Sequence, residues 1–271
     1  MNENALYIGV AGLLAEHVEE IAEFYELKVL NWENKSRRTQ PLLFLGLQTS
    51  RKFLNGEVVN PVYSSRMNSK EQIVEACRLI QYFYNSYLIV HYNPSGGYNL
   101  PGVKEHLDFL KNINPDGVQF NGFSTNQPTD ATIMQLEIDS EALGITSILQ
   151  IGKEDYENPK HFAEEIKNFS FLNHTHLLLD GSGGKGIPID ELKASAWITS
   201  LLQSKNKSGI AISGGLGGED TFDILRRIKS KTPAGYGLEI SIDAEGKLRD
   251  ESGFSIEKTK EFLIKAVEYY S

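Results

Sequence analysis

The chain has 271 residues, of which 40% are hydrophobic and 23% charged, so its length suits one large domain or two small ones. Its net charge of −9 and isoelectric point of about 5.3 argue against a nucleic-acid partner, because a general nucleic-acid surface needs basic patches to neutralise phosphates. The single cysteine excludes an intramolecular disulfide and a cysteine-rich zinc site.

The first residues lack the basic, apolar and small-residue pattern of a secretory signal, and no apolar run reaches the length of a membrane span. We therefore expect a soluble, cytoplasmic protein with no membrane partner. No cluster of His, Asp and Glu has the spacing of metal ligands, so no metal and no cofactor is expected. A homodimer is one assembly that the sequence leaves open.

Eight short apolar runs with the length of buried strands recur along the chain. They are Leu6–Ala11, Leu42–Leu47, Tyr87–Tyr92, Gly117–Asn121, Ser147–Ile151, His176–Leu179, Gly209–Ser213 and Gly237–Ile242. The segments between them have the apolar spacing of helices. Strict alternation of strands and helices predicts a parallel sheet with crossover helices.

Helix boundaries are marked by familiar start and stop residues. Ser69 with Gln72 three residues later forms a capping box, and Asn158 precedes a proline at a first helical position. Ser255 is expected to cap the last helix. Gly144 is expected to end a helix that begins near Thr129.

Eight strand–helix units in a chain of this length predict a single (β/α)8 barrel, the TIM barrel, over residues 1–271. The alternative is an open doubly wound sheet, which usually has fewer strands. Two segments fit the barrel plan poorly. Glu26–Gln40 contains LKVLNW, which has the composition of an extra strand, and Thr49–Ser65 contains Asn55-Gly56, which predicts a hairpin inserted in the second βα loop.

Two glycine-rich stretches follow strands where a barrel would have its active site, at the carboxyl ends. In LLLDGSGGKG, Asp180 ends the sixth strand, which is an unusual residue for a turn that only connects. In AISGGLGGED, adjacent glycines precede a helix, and their N–H groups together with the helix N-terminus suit a phosphate. The expected phosphate-binding residues are Ser213, Gly214, Gly215 and Gly217. The other interpretation is a tight turn that needs positive φ angles.

Five motifs in order along the chain resemble the phosphoribosylanthranilate isomerase family of tryptophan biosynthesis. They are YIGVAGL (7–13), SSRMNSKEQ (64–72), DGVQFNG (116–122), LLLDGSGGKG (177–186) and ISGGLGGED (212–220). Each motif is weak alone, and together they cover almost the whole chain. The resemblance implies a TIM barrel that converts a phosphorylated aminoaldose to an aminoketose, an intramolecular oxidoreductase reaction.

The resemblance also implies roles for single residues. Asp180 matches the general acid of the family, and Arg66 matches the arginine that contacts the anthranilate carboxylate. Gly183 and Gly184 belong to the matching ligand loop, and Asn121 stands where the family has a histidine. Ala11 stands where the family has its cysteine base, so we expect another base or a changed substrate.

His91 and Asp243 are the candidate bases, since both are expected near strand ends at the carboxyl end of the barrel. Imidazole titrates in the required range, and Asp243 would form a pair of carboxyl groups with Asp180. Their alternative interpretations are a structural histidine and a turn residue. Two functions follow: an isomerase-like enzyme for a phosphorylated small molecule, or an inactive barrel that binds a ligand or a protein partner.

Overall fold

The structure is a computed structural model that describes ten stretches of the chain. They are residues 5–30, 40–93, 100–123, 144–151, 156–166, 175–180, 187–204, 208–233, 239–251 and 253–270.

Eight parallel strands form a closed barrel in sequence order, with β8 hydrogen-bonded to β1. The strands are β1 (Tyr7–Leu13), β2 (Leu42–Ser50), β3 (Ser86–Asn93), β4 (Gly117–Phe123), β5 (Thr146–Ile151), β6 (Thr175–Leu179), β7 (Gly209–Ile212) and β8 (Ser241–Ala244). The predicted (β/α)8 barrel is confirmed, and the open-sheet alternative is wrong because the first and last strands pair. A short antiparallel pair follows, β9 (Arg249–Asp250) with β10 (Gly253–Phe254).

In the described stretches, helices cover the outside of the barrel between the strands. The described ones are α1 (Val18–Leu30), α2 (Arg51–Leu54), α3 (Pro61–Ser64), α4 (Lys70–Ile80), α5 (Leu100–Lys111), α6 (Pro159–Ile166), α7 (Glu191–Gln203), α8 (Thr221–Lys231) and α9 (Ile256–Tyr270). Two 3-10 turns span Ala15–His17 and Gly246–Leu248. The helix expected from Thr129 lies outside the described residues, although Gly144 has the expected positive φ of 66°.

The predicted helix starts are confirmed by their hydrogen bonds. Ser69 and Gln72 form both bonds of a capping box before α4. Pro159 is the first residue of α6, and the Ser255 hydroxyl accepts a 3.4 Å bond from the Lys258 N–H at the start of α9. Each cap satisfies an N–H group that the helix itself leaves without a partner.

The hairpin predicted in the second βα loop is wrong. Residues 51–54 and 61–64 form the short helices α2 and α3 instead. The Ser50 hydroxyl accepts a 3.2 Å bond from the Phe53 N–H, which caps a helical turn. Gly56, with a φ of 72°, reverses the chain just after that turn, as a helix C-terminal glycine does.

The extra strand predicted in LKVLNW is also wrong as far as that segment is described, because α1 continues to Leu30. Ile21, Ala22 and Tyr25 recur at helical spacing and are fully buried against the barrel. The Tyr25 hydroxyl also donates a 2.6 Å hydrogen bond to the Pro41 carbonyl. Burial of this face against the barrel therefore stabilises α1 as a helix, although residues 27–30 (LKVL) have the composition of a strand.

The barrel axis is filled by a layer of apolar side chains, separate from the larger core between the strands and the helices. This axial layer consists of Tyr7, Phe44, Ile89, Ile148, Leu178 and Ala211. Because side chains alternate along a strand, the next inward positions toward the carboxyl ends lie directly above this layer. The axial layer is thus the floor of whatever site the barrel mouth contains.

Candidate active site

Polar side chains occupy most of the inward positions above the apolar floor. By strand alternation these positions belong to Ala11, Gln48, His91, Gln119, Gln150, Asp180, Ser213 and Asp243. Seven of the eight strands therefore present, within the strand or directly after it, a side chain that can donate or accept a proton or a hydrogen bond near the same end of the barrel.

Asp180 follows β6 directly, at the barrel mouth, as the sequence predicted. Its side chain is 8% exposed, and its Oδ2 accepts a 2.7 Å hydrogen bond from Gln150 Nε2. Its Oδ1 lies 3.6 Å from the position that a Cβ at Gly214 would occupy. The carboxylate is thus held between the end of β5 and the glycine loop after β7.

The loop after β7 requires its glycines. Gly214, Gly215 and Gly217 have φ angles of 101°, 65° and 109°, which other residues rarely adopt. The turn interpretation of this loop is therefore correct, and it is compatible with an anion cradle because the loop leads into the N-terminus of α8. The Ser213 hydroxyl is buried there without a hydrogen-bond partner among the described residues.

Asp243 lies inside β8, and not after it as expected. The predicted strand was Gly237–Ile242, whereas β8 is Ser241–Ala244, since Ser241 pairs with Ala211 of β7. The side chain is only 7% exposed, and its Oδ1 has no hydrogen-bond partner among the described residues. Burial, followed by the charges of Glu245 and Asp180, raises its pKa to about 8. The Asp243 carboxyl group therefore stays mostly protonated up to pH 7, and its carboxylate becomes available as the pH approaches 8.

A cavity of about 10 Å³ lies between the apolar floor and this polar layer. It is bordered by Ala11, His91, Asp243, Gln119 and Tyr7, among others. The Tyr7 hydroxyl and Gln119 Oε1 are buried without hydrogen-bond partners among the described residues. The space holds about one water molecule, and polar groups of this kind are the partners that a buried water needs.

His91 lies in the same layer but is a weak base. It is buried, and burial lowers its pKa to about 4, so the imidazole is neutral at physiological pH. Its Nε2 lies 2.9 Å from where a Cβ at Gly46 would be, so the absent side chain at Gly46 makes room for the ring. Close packing of this kind is also typical of a structural histidine.

Arg66 reaches the barrel mouth, where its guanidinium forms an ion pair with Glu245. Gln48 Nε2 lies 3.3 Å from the same Oε1 of Glu245, so two donors converge on one carboxylate oxygen. A Cβ at Gly12 would lie 2.7 Å from that oxygen, so glycine is needed for this approach. The expected ligand contact of Arg66 is thus already satisfied by a carboxylate of the protein.

Glu245 was missed by the sequence analysis. It follows Asp243 by two positions and therefore shares its direction along the strand, which is the signal that was available. Its partner Arg66 is 179 residues away, and no local pattern predicts such a pair.

The remaining predicted residues have different outcomes. Asn121 lies in β4, where its Oδ1 accepts a 3.0 Å bond from Gln119 Nε2. Gly183 and Gly184 lie outside the described residues. Cys77 is buried in α4, and burial raises its pKa to about 12, so its thiol is unreactive. No group of three or more His, Cys, Asp or Glu in the described stretches is arranged to hold a metal ion.

Comparison with known proteins gives the fold. No family model matches the sequence, and no curated protein matches it significantly. Among solved structures, the chain is similar to 3-deoxy-D-arabino-heptulosonate 7-phosphate synthase from Thermotoga maritima, with 14% identity, a TM-score of 0.55, and 98% of this chain and 87% of that chain covered. It is also similar to a mutant tryptophan synthase α-subunit from Pyrococcus furiosus, with 13% identity, a TM-score of 0.53, and coverage of 99% and 98%.

A third similar structure is the carboxyl transferase domain of Rhizobium etli pyruvate carboxylase, with 9% identity and a TM-score of 0.55, covering 99% of this chain and 47% of that chain. These proteins are barrel enzymes, but at such identities the likeness shows the fold alone. The resemblance to phosphoribosylanthranilate isomerase therefore stays a prediction. Within the described residues, no helix has both the length and the apolar character needed to cross a membrane.

Proposed function

We propose that the protein is an aldose–ketose isomerase for a phosphorylated small molecule, with Asp180 as general acid and Asp243 as general base. The observation that carries this proposal is the shared cavity of Ala11 and Asp243. Ala11 stands where the resembling family has its cysteine base, and the Asp243 carboxyl borders the space that a thiol there would face.

The basicity of Asp243 also suits this replacement. A carboxyl group with a pKa of about 8 has nearly the proton affinity of an ordinary cysteine thiolate, whose pKa is about 8.5. A catalytic base works best when its pKa lies near the working pH. His91, with its pKa lowered to about 4, offers a weaker base in the same layer.

The proposed mechanism gives the two carboxyl groups different steps. Asp180 donates a proton to the ring oxygen as the C1–O bond breaks, and the lone pair of the other heteroatom on C1 forms a double bond to C1. The Asp243 carboxylate removes the proton from C2, directly or through the one water that fits its cavity; the C2–H electrons form the C1–C2 double bond, and the C1–heteroatom π electrons return to the heteroatom. Asp180, now a carboxylate, takes the proton of the C2 hydroxyl as the C2=O bond forms, and Asp243 returns its proton to C1, so both groups are restored and no oxidant or reductant is consumed.

The phosphate of the substrate is assigned to Ser213, Gly214, Gly215 and Gly217. The backbone of Gly214 and Gly215 and the N-terminus of α8 provide fixed positive partial charge. The Ser213 N–H already donates to the Leu179 carbonyl and the Gly217 N–H to the Thr221 hydroxyl, so these two residues shape the loop. Gly214 adjoins the Asp180 carboxyl, which would hold the phosphorylated sugar beside its acid. The Ser213 hydroxyl, which has no hydrogen-bond partner among the described residues, supplies a further donor.

The ion pair of Arg66 with Glu245 argues for a substrate other than phosphoribosylanthranilate. A ligand carboxylate would have to displace Glu245 from the guanidinium and leave that carboxylate partly buried without its partner, which is costly. We therefore propose a substrate with hydroxyl or amino groups, and no carboxylate, at this position.

The test is proton exchange at C2 of ribose 5-phosphate in deuterated water, followed by NMR, together with turnover of phosphoribosylanthranilate followed by fluorescence. The proteins compared are the wild type, Asp180→Asn, Asp243→Asn and Ala11→Cys. Exchange by the wild type that disappears in both aspartate variants supports the proposal. Exchange that persists in Asp243→Asn overturns the role of Asp243.

Two further outcomes separate the alternatives. Activity gained only in Ala11→Cys, and only on phosphoribosylanthranilate, would assign the barrel to the resembling family with a lost base. Binding of ribose 5-phosphate with no exchange in any protein would favour the inactive, ligand-binding barrel.

A further inference from the structure

A groove of about 400 Å³ lies beside the barrel mouth and shares only Gly217 with the site described above. One wall is the loop Gly217–Glu219 before α8, the second is formed by Lys247 and Arg249 after β8, and the third is one face of α9. The α9 residues in the groove, Lys258, Glu261, Phe262 and Lys265, recur at helical spacing. Pockets of this size accept small organic molecules.

Four cationic and two anionic side chains line this groove, in a chain whose net charge is −9. The groove therefore carries a local excess of positive charge, although the protein as a whole is negatively charged. Clefts lined by one sign of charge attract ligands of the opposite sign.

Two of the cations are held by neutral groups. The Lys258 ammonium donates a 2.7 Å bond to the Arg249 carbonyl, and the Arg249 guanidinium donates a 2.8 Å bond to the Gly12 carbonyl. A carbonyl oxygen fixes the position of a cation without neutralising its charge, although the carboxylates of Glu245 and Asp250 act on Arg249 from a greater distance. Among the described residues, no carboxylate forms a salt bridge within 4.0 Å of either group.

The other two cations have exposed carboxylate partners. Lys247 lies 3.1 Å from Asp220, and Lys265 lies 3.9 Å from Glu219, whose side chain is 97% exposed. Exposed pairs of this kind contribute little to stability, so a bound anion can replace them at little cost. A Cβ at Gly218 would lie 3.1 Å from the Lys247 ammonium, so the glycine lets this side chain lie across the loop.

We propose that this groove binds a small phosphorylated or pyrophosphorylated anion, at a place distinct from Ser213, Gly214 and Gly215 of the phosphate cradle, with Gly217 at the border between the two. Lys258 and Lys265, two turns apart on α9, face the anion from one side, and Lys247 and Arg249 face it from the other. Phe262 gives the groove an apolar floor, which suits an organic portion next to the phosphoryl group. Because Arg249 also reaches the carbonyl of Gly12 in β1, the bound anion would be coupled to the barrel mouth.

The experiment is calorimetric titration of pyrophosphate at a fixed ionic strength, using the wild type and three charge variants. Lys258→Gln and Lys265→Gln each remove one groove cation, and their double variant removes both. Lys260→Gln is the matched control, because Lys260 lies on the same helix but pairs with Glu20 of α1, 2.6 Å away.

We expect the wild type to bind pyrophosphate, the control to bind equally well, and the double variant to bind about tenfold more weakly. Binding that is undiminished in the double variant would assign the anion to another place, including the glycine cradle, and would overturn the groove proposal. No binding by the wild type, or an equal loss in Lys260→Gln, would overturn it as well.

Discussion

The apolar floor and the mouth of the barrel are formed by the same strands, but the inward side chains are apolar in the floor and mostly polar in the mouth. In the floor, aromatic and aliphatic side chains fill the axis, and Tyr7 stacks on Phe44 with ring centroids 4.3 Å apart. One inward position higher, the residues are carboxyl, amide and imidazole groups, and several buried polar atoms have no hydrogen-bond partner among the described residues.

The difference shows which layer is needed for folding and which is not. Apolar burial stabilises the fold by about 25 cal/mol per Å², whereas a buried polar atom without a partner costs about 1–3 kcal/mol. The mouth is therefore expected to contribute less to stability than the floor, and proteins keep such polar arrangements mainly at functional sites. Substitutions in the mouth should therefore affect activity most, and substitutions in the floor should affect stability most.

Asp180→Asn should have the largest effect on activity with little effect on stability. Asparagine keeps the shape of the side chain and a carbonyl oxygen for Gln150, but it has no acidic proton. We expect C2 exchange to fall by about 10²–10⁴-fold, as for loss of a general acid, with the unfolding midpoint nearly unchanged. An exchange rate within threefold of the wild type would remove Asp180 from the mechanism.

Phe44→Ala should have the converse effect in the floor. Loss of a buried phenyl ring costs about 3–5 kcal/mol of unfolding free energy, measured by urea denaturation. The matched control is Tyr84→Ala, since Tyr84 is 91% exposed and its loss should cost less than about 0.5 kcal/mol. Similar losses in both variants would contradict the assignment of the floor as the stabilising layer.

Asp243 should make the stability of the mouth depend on pH. Its pKa is raised from 3.8 to about 8 on folding, so between these values the unfolded chain is ionised while the folded protein keeps the proton. Unfolding free energy should therefore fall with rising pH, by about 1.4 kcal/mol per pH unit at most, and level off above pH 8.

Comparison with Asp243→Asn isolates this contribution. The buried His91, His106 and His176 have lowered pKa values, so their protonation in the unfolded chain reduces stability below pH 6.5 in both proteins. The difference in unfolding free energy between the two proteins should thus grow in favour of the variant from pH 4 to 8. A difference that does not change with pH would show that Asp243 is ionised in the fold. As a base, Asp243 should also make C2 exchange rise with pH up to about 8.

Glu245→Gln should have the smallest effect. The substitution leaves the Arg66 guanidinium without its carboxylate partner, so we expect benzoate to bind the variant several-fold more tightly than the wild type. Its control is Glu75→Gln, which breaks an exposed pair with Arg78 on α4 and should leave benzoate binding unchanged. Equal affinities for the wild type and Glu245→Gln would contradict the view that Glu245 occupies the arginine.

The sequence predicted the barrel well because each strand carries its own apolar run, and alternation with helices leaves few topologies. The position of Asp180 after β6 was predicted for the same reason, since its place at a strand end is a local property. Because the predicted eighth strand ended at Ile242, Asp243 was expected after the strand. It lies in the barrel interior instead, where burial raises its pKa. Local patterns do not register burial of this kind.

The other failures also have physical causes. The prediction of a hairpin rested on Asn55-Gly56 and did not consider that the Ser50 hydroxyl could cap a helical turn before them. Arg66 and Glu245 meet only when the barrel closes, so their pairing depends on tertiary structure. The groove beside α9 likewise combines three segments that are distant along the chain.

The pairing of β8 with both β1 and β7 has a consequence for the synthesis of the protein. β1 is made first, yet one of its edges has no partner until β8 leaves the ribosome. At about 5–20 residues per second, that interval is on the order of ten seconds or more. Throughout it the nascent chain carries two open strand edges, on β1 and at the growing end of the sheet, which are sites for wrong pairing. Aggregation through these open edges therefore remains possible until β8 and α9 have been synthesised and have packed into the barrel.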